Sequence, residues 1–331
     1  MRTLIVILSL LLISGCSWFQ SEETREARAN RDDPKNISEQ DYYERVQRNL
    51  TSRSWALAIE NLEALEAQFP FGTYGEQAQL ELIYAHYESA DYESATAAAD
   101  RFIRLHPQHT NVDYAHYIKG LSLISESKGF LDSFLPRDDS KRDPGTARLA
   151  FATFTDLLHR YPNSVYAADA RKHLIHLRNL LARHEIHVAN YYFKREAYLA
   201  ATNRGRYVVE NFQRTPAVAD GLAVMAQGYY LLDLKEHSAN AAKTLAANFP
   251  DHPALNASGE FQYQDNFKDD SSWWRRLTLG YYVPEKAPAY DSRPESLRDS
   301  SPSSTEQEQN EQQKPDQEKS WLNWLSFGLL G

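Results

Sequence analysis

The most distinctive candidate for chemistry is Cys16, the only cysteine among 331 residues. It closes the string Leu12-Ile13-Ser14-Gly15-Cys16, and Arg2 and an apolar run stand in front of it. A charged start, a short apolar core and small residues before a cut site are typical of a secretory signal peptide. The run is too short to cross a bilayer, which takes about 20 apolar residues. We therefore expect residues 1–15 to be a signal peptide.

The position of Cys16 directly after Ser14-Gly15 resembles the lipobox of bacterial lipoproteins. In that class the sulfur receives a diacylglycerol, the chain is cut before the cysteine, and the new amine is acylated. Several acyl chains hold a protein to a membrane, whereas a single one binds only marginally. Ser17 replaces the Asp that commonly retains enteric lipoproteins in the inner membrane, which favours the outer membrane and a periplasm-facing protein. The alternative is an ordinary signal peptide followed by a chance cysteine.

Four histidines on one side of a predicted long helix form a second constellation: His173, His176, His184 and His187. Imidazoles three residues apart can share a metal ion. However, Leu177, Leu180 and Tyr191 lie on or beside the same face, which favours packing, and no cysteine or well-placed carboxylate completes a site. We predict no metal and no cofactor other than the covalent lipid on Cys16, with a metal enzyme as the alternative.

Other catalytic patterns are missing from the sequence. It has no Gly-rich phosphate loop, no Gly-x-Ser-x-Gly elbow, and no His-Glu-x-x-His, since His184-Glu185-Ile186-His187 has the wrong spacing. The net charge of −9 argues against a nucleic-acid partner. Twenty tyrosines, fourteen phenylalanines and six tryptophans favour surfaces that bind other proteins. These observations favour a protein that binds other proteins, and none of these enzyme classes is indicated.

An internal repeat organises the middle of the chain. An aromatic residue or histidine beside a turn recurs 37, 55, 51 and 37 residues apart, at Phe69, His106, Tyr161, Phe212 and Phe249. Proline follows four of these five. Eleven residues before each lies a small residue: Ala58, Ala95, Ala150, Ala201 and Ser238. Small residues allow two helices to approach closely, and proline ends a helix.

This repeat resembles the tetratricopeptide repeat, a helix-turn-helix unit. We predict an all-α fold in which residues 38–255 form a tetratricopeptide-repeat solenoid of about five units, and a plain helical bundle is the alternative. Ser38 and Asp41 have the spacing of a capping box at its start. We interpret Ser125 to Gly145 as a loop insertion. We interpret Ser164 to Arg195, which lacks glycine and proline, as one long helix or two nearly continuous ones.

The flanks differ from the repeats in composition. Residues 16–37 are polar and predict a lipidated tether, and residues 256–283, with Trp273 and Trp274, predict an amphipathic extension. Residues 284–319 are rich in proline, serine, glutamine and glutamate, and we predict that they are disordered. Residues 320–331 form an apolar hook suited to docking on a partner, on the body of the protein or on lipid headgroups.

Several stretches resemble one family, the BamD (ComL) lipoproteins. They are Phe69-Pro70-Phe71-Gly72, Leu80-Glu81-Leu82-Ile83-Tyr84-Ala85, Asp100-Arg101-Phe102-Ile103-Arg104-Leu105, Arg142-Asp143-Pro144 and Tyr161-Pro162-Asn163-Ser164. The order of lipobox, short tether and five repeats is also similar, over roughly residues 12 to 250. The resemblance implies a subunit of the complex that inserts β-barrel proteins into the outer membrane. The implied partners are the POTRA domains of BamA, other lipoproteins of that complex and unfolded barrel proteins.

The resemblance also implies that the N-terminal repeats capture the C-terminal targeting strand of unfolded barrels. In the repeat register, the groove side chains include Tyr43, Gln47, Gln77, Tyr84 and Glu88, and tyrosines and amides suit an extended peptide. The alternative is that these tyrosines pack between repeats. Another alternative for the whole chain is a periplasmic repeat lipoprotein that coordinates peptidoglycan enzymes.

The resemblance further implies a site for coupling to BamA in the fourth repeat. Arg204 lies three residues after the small residue Ala201, and Arg206 makes this spot locally basic in an acidic chain. In the family, the arginine at the matching position is on the side that faces the membrane-proximal POTRA domain. The alternative is a solvated surface arginine.

Overall fold

The protein is described by a computed structural model over residues 37–126, 138–265, 267 and 289–293. Across these residues the secondary structure comprises ten α-helices, one 3₁₀ turn and a single β-bridge between Leu255 and Phe261. The prediction of an all-α fold of tetratricopeptide-type helix pairs is confirmed. The chain divides between Ser122 and Leu123 into two compact units, here called unit 1 and unit 2.

The helices follow one another with short connections. Unit 1 contains α1 (Glu39–Thr51), α2 (Trp55–Gln68), α3 (Gly75–Glu88) and α4 (Tyr92–Leu105). The division falls within α5 (Val112–Glu126). Unit 2 contains the 3₁₀ turn Asp139–Lys141, α6 (Gly145–Arg160), α7 (Ala167–Lys194), α8 (Tyr198–Asn211), α9 (Ala217–Leu231) and α10 (Lys235–Asn248). In each unit consecutive helices pack on each other, and α9 also packs on α7.

The first helix begins where the sequence predicts. The Ser38 hydroxyl accepts a hydrogen bond from the Asp41 amide, and the Asp41 carboxylate accepts one from the Ser38 amide. This is a capping box with aspartate in place of the more usual glutamate, and it satisfies two of the free N–H groups at the helix start. The capping box is confirmed.

The five recurrent aromatic or histidine residues are the C-caps of α2, α4, α6, α8 and α10. Their φ angles lie between −138° and −121°, outside the helical range, and each cap N–H bonds the carbonyl four residues earlier. A following proline disfavours helix at such a residue. Phe212 adopts the same geometry before Gln213, so proline favours this helix end without being required for it.

The small residues eleven positions earlier are all buried, with at most 2% of their surface exposed, as the register predicts. A close crossing joins α8 and α9, at a pair that the repeat offset did not indicate. There Gly205 faces Gly221, and a Cβ on Gly205 would come within 2.7 Å of the Gly221 carbonyl oxygen. Only glycine allows these two backbones to approach so closely.

The turns inside four helix pairs share one backbone conformation. The middle residue of each three-residue turn has a positive φ between 55° and 62°: Arg53, Ala90, Glu196 and Asp233. This left-handed conformation usually favours glycine, and none of the four is glycine. The sequence therefore carried no sign of it.

The two long interruptions of the repeat differ in structure. The region from Ser164 to Arg195 contains one continuous helix of 28 residues, α7, which agrees with the prediction. In the insertion from Ser125 to Gly145, residues 138–144 include the 3₁₀ turn that packs on α7, and residues 127–137 lie outside the described part. Cys16, the tether up to residue 36, and the hook 320–331 also lie outside it. Among the helices in the described ranges, no helix combines the length and apolarity needed to cross a membrane.

One prediction about the C-terminal flank is wrong for five residues. Residues 289–293 belong to the segment predicted to be disordered, yet they pack against unit 2, and Tyr290 is only 5% exposed. Disorder was predicted from the average composition of the whole segment. A single buried aromatic residue among polar residues and prolines hardly changes that average. The remainder of 284–319 lies outside the described residues, so its predicted disorder stays a prediction.

We predict that Ala95→Leu destabilises the fold. Ala95 is completely buried in α4, so three extra carbon atoms must be accommodated in a packed site, which costs roughly 1–3 kcal/mol. The matched control is Ala97→Leu, because Ala97 is exposed on the same helix. Urea unfolding of the full chain measures both. Equal stabilities for the two variants would contradict the crossing geometry.

Candidate functional site

Three of the predicted groove residues converge on one buried carboxylate in unit 1. Glu81 of α3 is 5% exposed. Its carboxylate accepts hydrogen bonds from the Tyr43 hydroxyl at 3.0 Å, from Gln47 Nε2 at 2.9 and 3.0 Å, and from Gln77 Nε2 at 2.9 Å. Together these four side chains are called the Glu81 cluster. Three of these contacts are made to Oε1 and one, from Gln47, to Oε2, so both oxygens of the carboxylate are hydrogen-bonded.

The hydrogen bonds to Glu81 fix the orientation of the three side chains that donate them. Burial raises the pKa of Glu81, the hydrogen bonds from Gln77, Gln47 and Tyr43 oppose that rise, and the pKa remains above its ordinary value. Burial and the neighbouring carboxylate also raise the pKa of Tyr43, so its phenol keeps its proton and donates. Because both glutamines donate to Glu81, their carbonyl oxygens point away from it, as acceptors for another molecule.

Aromatic rings flank the cluster. The ring of Tyr43 stacks on Tyr74 with centroids 4.2 Å apart, and Tyr84 meets Trp55 edge to face at 5.7 Å. Tyr84 is half-buried and Glu88 is exposed. Gln77, Glu81, Tyr84 and Glu88 are spaced by four, three and four residues, which puts them along one face of α3.

Sequence reasoning selected the donors of this cluster and missed their acceptor. Glu81 was noted only as part of the stretch Leu80 to Ala85. A charged residue between Leu80, Leu82 and Ile83 was the available sign, because a glutamate inside an apolar helix run must find hydrogen-bond partners when buried.

A second buried carboxylate lies in unit 2 beside a predicted partner-binding residue. Glu185 of α7 has a side chain only 5% exposed, and its Oε2 accepts from Arg204 Nη1 at 2.7 Å. Arg148 Nη2 lies 3.4 Å from Oε1 of the same carboxylate. The hydrogen bond to Glu185 raises the pKa of Arg204, whose side chain is 41% exposed. The guanidinium of Arg204 therefore donates to the buried Glu185 carboxylate, while another part of the side chain is exposed to solvent.

The neighbouring Arg206 has a different environment. It is exposed, and its Nη2 donates to the Tyr229 hydroxyl at 2.7 Å. Arg206 can be changed without uncovering a buried carboxylate, whereas Arg204 cannot. Of the two arginines that were predicted together, Arg204 thus supports a buried carboxylate, whereas Arg206 lies on the surface.

The histidine constellation on α7 is occupied by structural contacts. His173 lies 3.0 Å from the Asp169 carboxylate and stacks on Phe154, and His184 Nδ1 lies 2.9 Å from the Ser140 carbonyl oxygen. In the described ranges, no group of three or more histidine, cysteine, aspartate or glutamate side chains is arranged to hold a metal ion.

We predict that Glu81 makes stability depend on pH. The folded-state pKa exceeds the unfolded value of about 4.3, so between these two values the folded state binds more protons, and the contribution of Glu81 to stability falls as pH rises. Glu81→Gln cannot titrate. Urea unfolding of both proteins between about pH 4 and 8 should show wild type gaining on the variant as pH falls. A pH-independent difference would refute the assignment.

We predict that Arg204→Ala lowers the unfolding free energy by about 1–3 kcal/mol, because a buried carboxylate loses its shortest hydrogen bond while Arg148 remains nearby. Arg206→Ala on the same helix is the control and should have a smaller effect, of about 1 kcal/mol or less, since it removes one hydrogen bond to a neutral hydroxyl and leaves no buried charge unpaired. Thermal or urea unfolding compares them. Equal effects would mean that Glu185 does not depend on Arg204.

Comparisons with known proteins match most of the chain. A family model described as YfiO, outer membrane lipoprotein, matches residues 35–245. The outer membrane protein assembly factor BamD of Neisseria meningitidis serogroup B is 37% identical over 276 residues, which cover 83% of this chain and 99% of that protein. The BamD proteins of Xylella fastidiosa (strain Temecula1) and Vibrio cholerae are each 36% identical, over 76% and 71% of this chain and 83% and 93% of their own lengths. The chain therefore belongs to the YfiO (BamD) family of outer membrane lipoproteins.

Proposed function

We propose that this protein is a non-enzymatic subunit of the outer-membrane β-barrel assembly (BAM) complex, anchored by lipid and facing the periplasm. The proposal is supported by relatives named outer membrane protein assembly factor BamD. The match to one of them covers 99% of that relative's length. It acts as a scaffold that binds the POTRA region of BamA, other lipoproteins of the complex, and unfolded barrel proteins.

The Glu81 cluster in unit 1 is the proposed receptor for the C-terminal strand of an unfolded barrel protein. The observation that carries this step is the fixed orientation of Tyr43, Gln47 and Gln77 by one buried carboxylate. Side chains held in place before binding lose less conformational freedom when a peptide arrives. The oriented amides offer oxygens to the free main-chain N–H groups of an extended segment.

The dimensions of this face suit a strand. From Gln77 to Glu88 the helix rises about 16 Å, at 1.5 Å per residue, and an extended strand covers that distance with about five residues. The rings of Tyr43 and Tyr84 lie along this span and can pack against aromatic side chains of the strand. Glu88 stands at the exposed end, where it favours a positively charged or polar neighbour.

Unit 2 is the proposed contact for the POTRA region. The exposed part of Arg204 and the exposed Arg206 give α8 a local positive charge in an acidic protein. Complementary charge across an interface mainly raises the association rate and adds specificity. Because Arg204 also supports Glu185, a change at Arg206 examines this interface without altering the buried pair.

We predict that Tyr84→Ala weakens binding of a synthetic barrel C-terminal peptide at least fivefold, because tyrosine is enriched among the interface residues whose truncation costs more than about 1 kcal/mol. Tyr92→Ala is the control, since Tyr92 is a half-buried tyrosine on α4 of the same unit. Fluorescence anisotropy with the full-length protein and a labelled peptide measures both affinities. Wild-type affinity in the Tyr84 variant would exclude Tyr84 from the receptor surface.

We predict that Cys16→Ser releases the protein from membranes, because the serine oxygen does not replace the sulfur in lipid attachment. The measurement is fractionation of cells that lack the other subunits of the complex, followed by detection in the soluble and membrane fractions. Sedimentation of the variant with membranes in such cells would show that Cys16 is not the anchor.

A further inference from the structure

Residues 289–293, here called the C-terminal segment, occupy a recess on unit 2 formed by α7 and α9. The recess is lined by Asn190, Asp220 and Gln227, all buried. The segment is connected to Phe267, the last described residue before it, through residues 268–288. It forms no helix or strand, so its placement depends on the contacts it makes with the recess.

The recess binds the main chain of the segment. Asn190 donates from Nδ2 to the Tyr290 carbonyl at 3.1 Å and accepts from the Tyr290 amide at its Oδ1 at 3.0 Å. Asp220 accepts from the Ser292 amide at 2.8 Å and from the Ser292 hydroxyl at 3.2 Å. Two main-chain N–H groups and one carbonyl of the segment are thus paired by side chains of the recess.

The recess also selects a side chain. The Tyr290 ring is buried beside Phe193 at 5.9 Å between centroids and within 6.3 Å of both Phe261 and Phe267. Its hydroxyl donates to Gln227 Oε1 at 3.0 Å. Gln227 is completely buried and its amide group is held by the main chain of Gln264, so it presents an acceptor at a fixed position. This geometry favours tyrosine over a purely apolar ring.

A charged contact closes the segment. Arg293 Nη2 lies 2.7 Å from Asp138 Oδ2 and also pairs with Asp291. Burial alone would raise the pKa of Asp138, but hydrogen bonds from Arg293 and Ser140 outweigh it, and the pKa lies below its ordinary value. The paired form of Asp138 is therefore ionised, and the arginine adds a charge-assisted bond.

We propose that this recess is a peptide-binding site whose ligand class is a short segment of the form Tyr-x-Ser-Arg, and that the chain's own residues 290–293 fill it reversibly. The site reads main-chain groups, one tyrosine and one arginine. Because the segment belongs to the same chain as the recess, its binding is intramolecular, and it outcompetes dilute peptides. When it is released, the same site binds the sequence supplied as a separate peptide.

The test uses the full-length chain carrying Tyr290→Ala and Arg293→Ala, which removes the ring and the guanidinium that the site reads, weakens the hold of the attached segment and leaves Asn190, Asp220 and Gln227 unsubstituted. The probe is a fluorescent synthetic peptide of residues 287–295, and the readout is fluorescence anisotropy. We expect at least tenfold tighter binding to this variant than to wild type, and at least tenfold loss when alanine replaces the tyrosine of the peptide. Equal binding to both proteins, no binding to the variant, or equal binding of both peptides would overturn the proposal.

Circular dichroism shows whether the double variant folds. If it does not fold, a second measurement tests the proposal on the wild-type protein. Hydrogen exchange of the wild-type protein reports the Tyr290 and Ser292 amides directly, because both are hydrogen-bonded to side chains of the recess. We expect both to exchange at least tenfold more slowly than in the free peptide of residues 287–295. Exchange at the rate of the free peptide would overturn the proposal.

Discussion

The close approach of paired helices at small residues is the constraint on which the rest of this structure depends. An alanine or serine at the same position of each of the five repeats is buried, and α8 and α9 meet at Gly205 and Gly221. A short crossing distance requires small contact side chains, so it fixes which helix faces turn inward. With those faces fixed, the outward stripe of α3 presents Gln77 and Tyr84 together. The proposed receptor surface thus follows from residues that touch no ligand.

Buried carboxylates are the second recurrent feature, and each is supplied with donors from another element of its own unit. Glu81 receives Tyr43 and Gln47 from α1, and Glu185 receives Arg204 from α8. A buried charge is costly unless it is fully hydrogen-bonded, and replacing such groups with apolar ones is often tolerated for stability. Their retention here fits a role in orienting side chains for binding. The same logic applies to Asp220, which holds the C-terminal segment.

Local patterns in the sequence predicted the helix ends and the buried small residues, whereas contacts between single residues far apart in the chain were missed. Five matching offsets identified the helix crossings and helix ends, because the same local rule recurs in each unit. The Glu81 cluster joins positions 34 and 38 residues apart, and no local pattern pairs them in advance, although Tyr43 and Gln47 were selected from the repeat register. Tyr290 reaches Asn190 across 100 residues, and its polar, proline-rich neighbourhood indicated disorder. Long-range pairing of single residues is decided by the folded geometry, not by composition.

The central claim is that this protein works as a subunit of a β-barrel assembly complex. The most direct measurement is affinity purification of the tagged full-length chain from detergent-solubilised membranes, at its natural expression level, followed by mass spectrometry. The account predicts that a large β-barrel protein carrying POTRA domains co-purifies in near-stoichiometric amount. Recovery of the lipidated chain without any such subunit, under conditions that preserve other membrane complexes of the same cells, would contradict it.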